Sequence, residues 1–295
     1  MKKKPLIRKA IIAAAGYGTR FLPATKVQPK EMLPLIDKPI IQYLVEEAVD
    51  SGIEDIIIVS RAGNHMMEDH FDSSFELEAQ LKKNHKKKLL DKVKRIPRMA
   101  NFIYLRQTKD YPYGNGSPLL VAKNLIGKDE PFIYMFGDDL VKSQVPCTKQ
   151  LIDFWKKNGN GKKVVIAAEE VPAKETYRYG ILEFRKDSDS VVSNVVEKPD
   201  VKKAPSNLAV LGRYVLNWEI IKILEEKKLG KGNELWVADA LREYSSTGKA
   251  LAMKIKGKWL TTGDPLRYLK ATVEFALDRK DIGLEFREYL KDLKI

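Results

Sequence analysis

Two short, uninterrupted apolar runs separated by one amphipathic helix constrain this chain more than any other feature. Ile11 to Ala15 ends at Gly16, and Ile56 to Val59 follows Gly52. Neither run alternates with polar residues, so each predicts a strand buried on both faces. Between them Ile40, Ile41, Leu44, Val45, Ala48 and Val49 recur at the spacing of one helical face. Pro39 suits the first turn of that helix, Asp37 can cap it, and Gly52 lies just past its end. Strand, helix and strand of this kind predict an α/β fold: a parallel sheet covered by helices.

Further strands are expected at Phe102 to Leu105, Phe132 to Phe136 and Val164 to Ala168, with helices around Pro118 to Asn124 and Lys149 to Lys157. The second half changes style. Gly180 to Phe184, Val191 to Val196 and Leu208 to Val215 are rich in β-branched and aromatic residues, and some of these strands should run antiparallel. Helices follow at Trp218 to Lys227, Val237 to Ser245 and Leu266 to Asp278. At roughly 150 residues per domain, 295 residues allow two domains or one large unit. No Pro/Gly/Ser-rich linker, repeat or low-complexity tract divides the chain. The expectation is one domain over residues 1–295, with a first half to about residue 170, a second half to about 265 and a C-terminal helical segment beyond it.

Hydrophobic residues make up 44% and charged residues 32%, which excludes a disordered or collagen-like chain. The excess of 53 Lys+Arg over 40 Asp+Glu, +13, points to anionic partners: nucleic acid, phosphorylated metabolites or a membrane surface. Single Cys147 forms no internal disulfide and no paired zinc motif, which favours the cytoplasm. Met1 to Lys4 followed by Leu6 to Ala15 imitates a leader, but Arg8 and Lys9 interrupt it and Ala10 to Ala15 is too short an apolar core, so no export is expected. No stretch approaches the ~20 apolar residues that span a bilayer. The lysine-rich stretch Lys82 to Arg98 lacks interleaved aromatics and is expected to be a solvated helix face, not a nucleic-acid patch. His65, His70 and His85 do not have zinc spacing.

The most informative segment leaves the first strand as Ala13-Ala14-Ala15-Gly16-Tyr17-Gly18-Thr19-Arg20. Two glycines let the backbone approach a ligand and offer N–H groups to phosphate, with Thr19 and Arg20 adding donors. It is not a dinucleotide fingerprint, because Phe21 stands where a third Gly or Ala belongs, nor a P-loop, because no Gly-Lys pair precedes Ser or Thr. Pro23, Pro29 and Pro34 should hold the following loop extended, with Lys30 beside the glycine turn.

Gly16-x-Gly18-Thr19-Arg20, then Pro29-Lys30-Glu31-Met32-Leu33-Pro34 and Asp37-Lys38-Pro39, resembles the sugar-1-phosphate nucleotidyltransferases. His70-Phe71-Asp72-x-Ser74-Phe75-Glu76-Leu77-Glu78 is similar to a segment of the bacterial-type UTP:glucose-1-phosphate uridylyltransferases. The likeness continues through Arg106-Gln107, Val196-Glu197-Lys198-Pro199, Pro205-Ser206-Asn207-Leu208-Ala209 and Gly212-Arg213-Tyr214-Val215.

The resemblance implies a Rossmann-like nucleotidyltransferase fold with a mixed, mostly parallel central sheet. It implies uridylyl transfer from UTP to glucose 1-phosphate with Mg²⁺, in a homo-oligomer (dimer or tetramer), with no nucleic-acid or membrane partner. By resemblance Ala14, Ala15, Gly16, Gly18 and Thr19 hold the nucleotide, Gln107, Gly114 and Gly116 contact the base, and Arg20 and Lys30 balance phosphate charge. Asp138, just after a strand end, would hold Mg²⁺, a cation that takes few protein carboxylates. Gly180, Glu197 and Lys198 would take the sugar phosphate.

Three departures from the pattern stand out. Thr261 occupies the place of a second metal-site aspartate, leaving Asp264 or substrate oxygens to complete the shell. The base-side loop Thr108 to Pro118 is longer, with Gly114-Asn115-Gly116-Ser117-Pro118 where a Gly-x-Gly-His-Ala type segment is usual. Gly137-Asp138-Asp139 is closer to the thymidylyltransferases. A sister activity on dTTP or another sugar phosphate, and a non-catalytic nucleotide-sugar sensor, are the competing expectations.

Overall fold

The computed structural model describes residues 7–159 and 161–293, so Met1 to Leu6 of the leader-like stretch lie outside the described residues. The strands are β1 (Lys9–Ala14), β2 (Pro34–Leu35), β3 (Lys38–Pro39), β4 (Asp55–Arg61), β5 (Asn101–Gln107), β6 (Phe132–Phe136), β7 (Asp139–Lys142), β8 (Val164–Glu170), β9 (Gly180–Phe184), β10 (Val192–Glu197), β11 (Leu208–Leu216), β12 (Ala250–Lys254) and β13 (Lys258–Thr261). The helices are α1 (Ile40–Asp50), α2 (Met66–Phe71), α3 (Phe75–Lys83), α4 (Lys87–Arg95), α5 (Ser117–Ala122), α6 (Cys147–Asn158), α7 (Trp218–Glu226), α8 (Val237–Ser245), α9 (Pro265–Leu277) and α10 (Gly283–Asp292).

A mixed nine-stranded sheet runs β10-β9-β11-β6-β1-β4-β5, with β8 joined along β11 and β12 beside β8. Pairing is parallel from β6 through β1 and β4 to β5, as the opening strand-helix-strand pattern requires. Antiparallel pairing centres on β11, which meets β6 at Arg213 to Leu216, β9 at Ala209 and β8 along its other edge. An irregularity between Val210 and Tyr214 breaks the β8 register and lets one long strand serve both halves of the sheet.

Alternation within β1 explains its unbroken apolar run. Ala10, Ile12 and Ala14 pack toward α1 and α6, while Ile11 packs toward α5, α7 and α8. Both sets are fully buried or nearly so. Helix α1 ends as its glycine predicted: Gly52 takes φ +91°, its N–H donates to Val49 O, and Ile53 N–H reaches back to Ala48 O.

Two local expectations are corrected. Asp37 does not cap α1, whose N-cap position is Pro39 with no side-chain cap. The Asp37 carboxylate instead accepts from Lys92 and Arg279, two cations that outcompete the helix end. The proline-rich segment is not extended either. Thr19–Phe21, Ala24–Lys26 and Lys30–Met32 are 3₁₀ turns, because Pro23 and Pro29 stand immediately before turns that φ near −65° can enter.

The Lys82 to Arg98 stretch spans the end of α3 and all of α4, neither of which buries a residue. No helix among the described residues is long and apolar enough to cross a membrane.

Behind the C-terminal end of β6 lies a buried ion pair. The Arg213 guanidinium is fully buried; it donates to both Glu47 oxygens at 3.1 and 3.2 Å and to the Asp139 carbonyl at 2.5 Å. Glu47 also accepts from Thr148 N–H and Oγ1. Buried charges persist only when paired and hydrogen-bonded in this way. The cluster ties α1, α6 and β11 to the backbone that carries Asp138 and Asp139.

Candidate active site

Ligands on open α/β sheets gather outside the carboxyl ends of the strands, where neighbouring connections diverge. Here that point lies between β1, whose chain turns toward β4, and β6 on its other side. Two cavities meet there, of about 340 and 410 Å³. The first is lined by Ala15, Gly16, Gly18, Thr19, Lys30, Gln107 and Gly114, and the second by Gly180, Glu197, Tyr179, Trp259 and Thr261. Arg20, Asp138, Lys198 and Trp236 line both, forming the seam.

Gly18 takes φ +64°, and its carbonyl accepts from Phe21 N–H and from Thr25 Oγ1. A left-handed turn whose carbonyl accepts from two donors keeps the glycine loop closed on itself beside the cavity. Lys30 Nζ lies 2.5 Å from Asp138 Oδ2 and 3.8 Å from Glu31 Oε1. Burial opposes its charge, but the two carboxylates outweigh burial and hold the ammonium above its ordinary pKa. Asp138 responds in the opposite sense: burial raises its pKa, yet Lys30 and then Arg20 keep it below the usual carboxylate range. An ionised carboxylate and an ammonium therefore share the cavity floor. Arg20 is aimed by donation to Gly263 O at 3.0 Å.

Two neighbouring acids behave differently. Glu31 is 1% exposed, and neither carboxylate oxygen meets a hydrogen-bond donor at bonding distance among the described residues. Burial pushes its pKa up to about 7, partly offset by Lys30. Asp139 is pushed up to about 6 by burial and by the adjacent Asp138 charge; the Trp259 indole N–H, donating at 2.8 Å, works against the shift. Thr261 is the direct cross-strand partner of Asp139 in the β7–β13 pair. At that level of the ladder the carboxylate is carried by β7, while β13 presents a hydroxyl.

On the second cavity's wall, Gly180 and Glu197 are register partners, and a Cβ on Gly180 would lie 3.1 Å from Glu197 Oε2. The absent side chain leaves the carboxylate room to face the cavity. Lys198 adopts φ +47°, an uncommon conformation for a non-glycine residue, and its ammonium stands 4.2 Å over the Trp236 ring.

The structure brings most of the expected residues to the two cavities, with three exceptions in detail. Ala14 is buried in β1 and lines neither cavity. Gly116 is turned away, its N–H spent on Leu235 O at 2.8 Å. Asp264 borders the second cavity, but its oxygens accept from Arg267 N–H at 3.0 Å, Arg267 Nη1 at 2.8 Å and Arg178 at 3.4 Å, and it caps α9. A carboxylate so engaged is a poor cation ligand.

Among the described residues no three His, Cys, Asp or Glu side chains converge as a metal cage. Asp138, ionised and facing the seam, fits a cation that takes one protein carboxylate and completes its shell from water and phosphate.

Glu31, Asp139, Asn115 and Trp236 were not singled out from the sequence. Glu31 sits inside the Pro29 to Pro34 motif, where a carboxylate between Lys30 and two apolar residues was the available signal. Trp236 lies in an irregular stretch that carries no periodicity.

The comparisons with known proteins agree with this geometry. Residues 9–277 match the family described as nucleotidyl transferase. A UTP--glucose-1-phosphate uridylyltransferase of Bacillus subtilis (strain 168) is 44% identical over 295 residues, spanning 99% of this chain and 98% of the relative. One of Staphylococcus epidermidis is 44% identical over 297 residues, with both chains fully covered. Among solved structures, a UDP-glucose pyrophosphorylase from Acinetobacter baumannii superposes with a TM-score of 0.87 at 34% identity, covering 98% of this chain and all of that one. A UDP-glucose pyrophosphorylase complexed with UDP-glucose gives 0.83 at 38%, over 93% of this chain and all of that one. The chain belongs to the nucleotidyl transferase family, among its UTP--glucose-1-phosphate uridylyltransferases.

Proposed function

We propose that this protein transfers a uridylyl group from UTP to glucose 1-phosphate, giving UDP-glucose and pyrophosphate. The observation that carries the reading is the seam: two cavities of substrate size share Arg20, Asp138 and Lys198, so two phosphates held on either side meet over one carboxylate and its cations. Held there, the sugar-phosphate oxygen attacks the α-phosphorus in line as the bond to pyrophosphate breaks. Positioning and charge neutralisation carry such a reaction.

In the first cavity the Gly16 to Thr19 loop takes the triphosphate, and Gln107 and Gly114 take the base. Across the seam Glu197 accepts from sugar hydroxyls beside the Gly180 backbone, and Lys198 holds the sugar phosphate as a point charge. Lys30 and Arg20 balance the charge that grows on the leaving pyrophosphate. Mg²⁺ held at Asp138 would supply Lewis-acid neutralisation of the phosphate oxygens. A cytoplasmic location agrees with the buried, unpaired thiol of Cys147. A homo-oligomer agrees with the exposed Leu266 and Leu269 on α9 and Leu284 on α10.

The test is pyrophosphate release from a panel of nucleoside triphosphates and sugar phosphates. UTP with glucose 1-phosphate should be the best pair; preference for dTTP would move the chain to the sister activity, and release from no pair would sink the enzyme reading.

A further inference from the structure

Gln107 ends β5 and lines the nucleotide cavity beside Gly114 and Asn115. Its amide nitrogen is already engaged, because Nε2 donates to the Pro112 carbonyl at 3.2 Å. That carbonyl also accepts from Ser117 Oγ, and Ser117 is fully buried at the start of α5. A side-chain amide carries its donor and its acceptor on separate arms of one plane. With one Nε2 hydrogen spent on Pro112 and the nitrogen arm turned that way, Oε1 lies on the opposite arm, the one that can face a base. The reversed orientation would set two carbonyl oxygens against each other.

The loop that presents Pro112 is itself fixed. Leu235 N–H donates to Tyr113 O and Gly116 N–H to Leu235 O, each at 2.8 Å. Val237 N–H donates to Asn115 Oδ1 at 2.8 Å. Gly114 runs at φ +125°, and a Cβ there would lie 2.3 Å from Leu235 O, so loop and strap are in close backbone contact.

We propose that the Pro112 carbonyl, anchored by Ser117, orients Gln107 as a hydrogen-bond acceptor toward the base, which makes Ser117 a positioning residue for base selection. The chemical class of base follows. Uracil and thymine carry N–H at position 3 and can donate to Oε1, whereas cytosine presents a lone pair there and is repelled. This rests on the uridylyl-transfer reading, and it names the device that separates uridine from cytidine nucleotides.

Calorimetric binding of UTP and CTP to the full chain without added metal tests it. Wild type should prefer UTP. Ser117→Ala removes the donor that fixes the direction of this carbonyl within the strapped loop and lets the amide reverse, so the UTP:CTP affinity ratio should fall about tenfold, the worth of one hydrogen bond, while calorimetric affinity for glucose 1-phosphate stays at the wild-type value. Ser117→Thr, which keeps a hydroxyl for the Pro112 carbonyl, should keep the preference for UTP even if Ser117→Ala folds poorly. An unchanged ratio in Ser117→Ala, with or without weakening of both nucleotides, or a ratio in Ser117→Thr as low as in Ser117→Ala, would each overturn the proposal. Failure of wild type to bind UTP at all would instead remove the uridylyl-transfer reading on which it stands.

Discussion

Between Gly16 and Pro34 the chain makes three successive 3₁₀ turns, and the bonds that close the glycine turn, Phe21 to Gly18 and Thr25 to Gly18, span seven residues or fewer. The base loop at 112–117 is held by Leu235 and Val237, the latter 122 residues from its partner Asn115. On one side of the cavity the glycine turn is closed by local bonds, with only the Arg20 and Lys30 side chains taking distant partners in Gly263 and Asp138; on the other the loop backbone itself is shaped by a strap from the far half of the chain. Locally closed structure leaves a contiguous motif, while long-range strapping leaves residues that look unremarkable in their own neighbourhoods.

Replacing the residue that the phosphate side places best should have the largest effect. Lys30→Ala removes the ammonium from Asp138 and from the developing pyrophosphate charge. Turnover should fall about 10²- to 10³-fold, the scale of losing one preorganised electrostatic donor. Affinity for UDP-glucose, measured by calorimetry, should change little. Equal losses in turnover and affinity would make Lys30 a binding residue and erase the contrast between a chemically committed phosphate side and a recognition-only base side.

What the sequence made legible follows the same division. The apolar run of β1, the amphipathic face of α1 and the glycine that ends it could be read because each depends on neighbours within a few turns. Arg20, Lys30 and Asp138 could be named because they lie in or beside such elements. The short strands β7, β12 and β13 could not. Asp139 opens β7 as a buried carboxylate, eased by the Trp259 indole N–H, the nearby Arg213 charge and the Thr261 hydroxyl. Resemblance supplied Gln107 and Glu197, but not the Pro112 carbonyl or the Trp236 ring that hold their neighbours in place. The departure at Thr261 could be read from the sequence, but its cross-strand pairing with Asp139 could not.

The phosphate side also has a measurable cost, which a second variant exposes. Glu31 has its pKa raised from 4.5 to about 7 in the folded chain, chiefly by burial. The native state therefore holds this proton more tightly than the unfolded state does. Its contribution to stability is fully present below pH 4.5 and is lost as pH rises toward about 7. At about 1.4 kcal/mol per unit, the ligand-free protein should lose on the order of 2–3 kcal/mol from this group between pH 5 and 8. Glu31→Gln cannot ionise and should flatten the profile of melting temperature against pH over that window. Parallel profiles for the two proteins would mean that Glu31 titrates as an ordinary surface acid.

The smallest expected effect sharpens the comparison on the sugar side. Lys198 stands at φ +47° with its ammonium 4.2 Å over the Trp236 ring and 3.5 Å from Glu197 Oε1, so its position depends on a residue of the same strap that holds the base loop. Trp236→Leu keeps an apolar wall at the seam but removes the π face. A cation–π contact at a partly exposed site contributes about 0.5–1 kcal/mol, which corresponds to a rise in KM for glucose 1-phosphate of roughly two- to fivefold. KM for UTP should stay within experimental error, because the phosphate loop closes on itself and Lys30 takes its bearings from Asp138. A matching rise in both constants would show that the strap braces the two cavities as one unit, and the division between a locally built side and a strapped side would then stop at the fold and not extend to substrate binding.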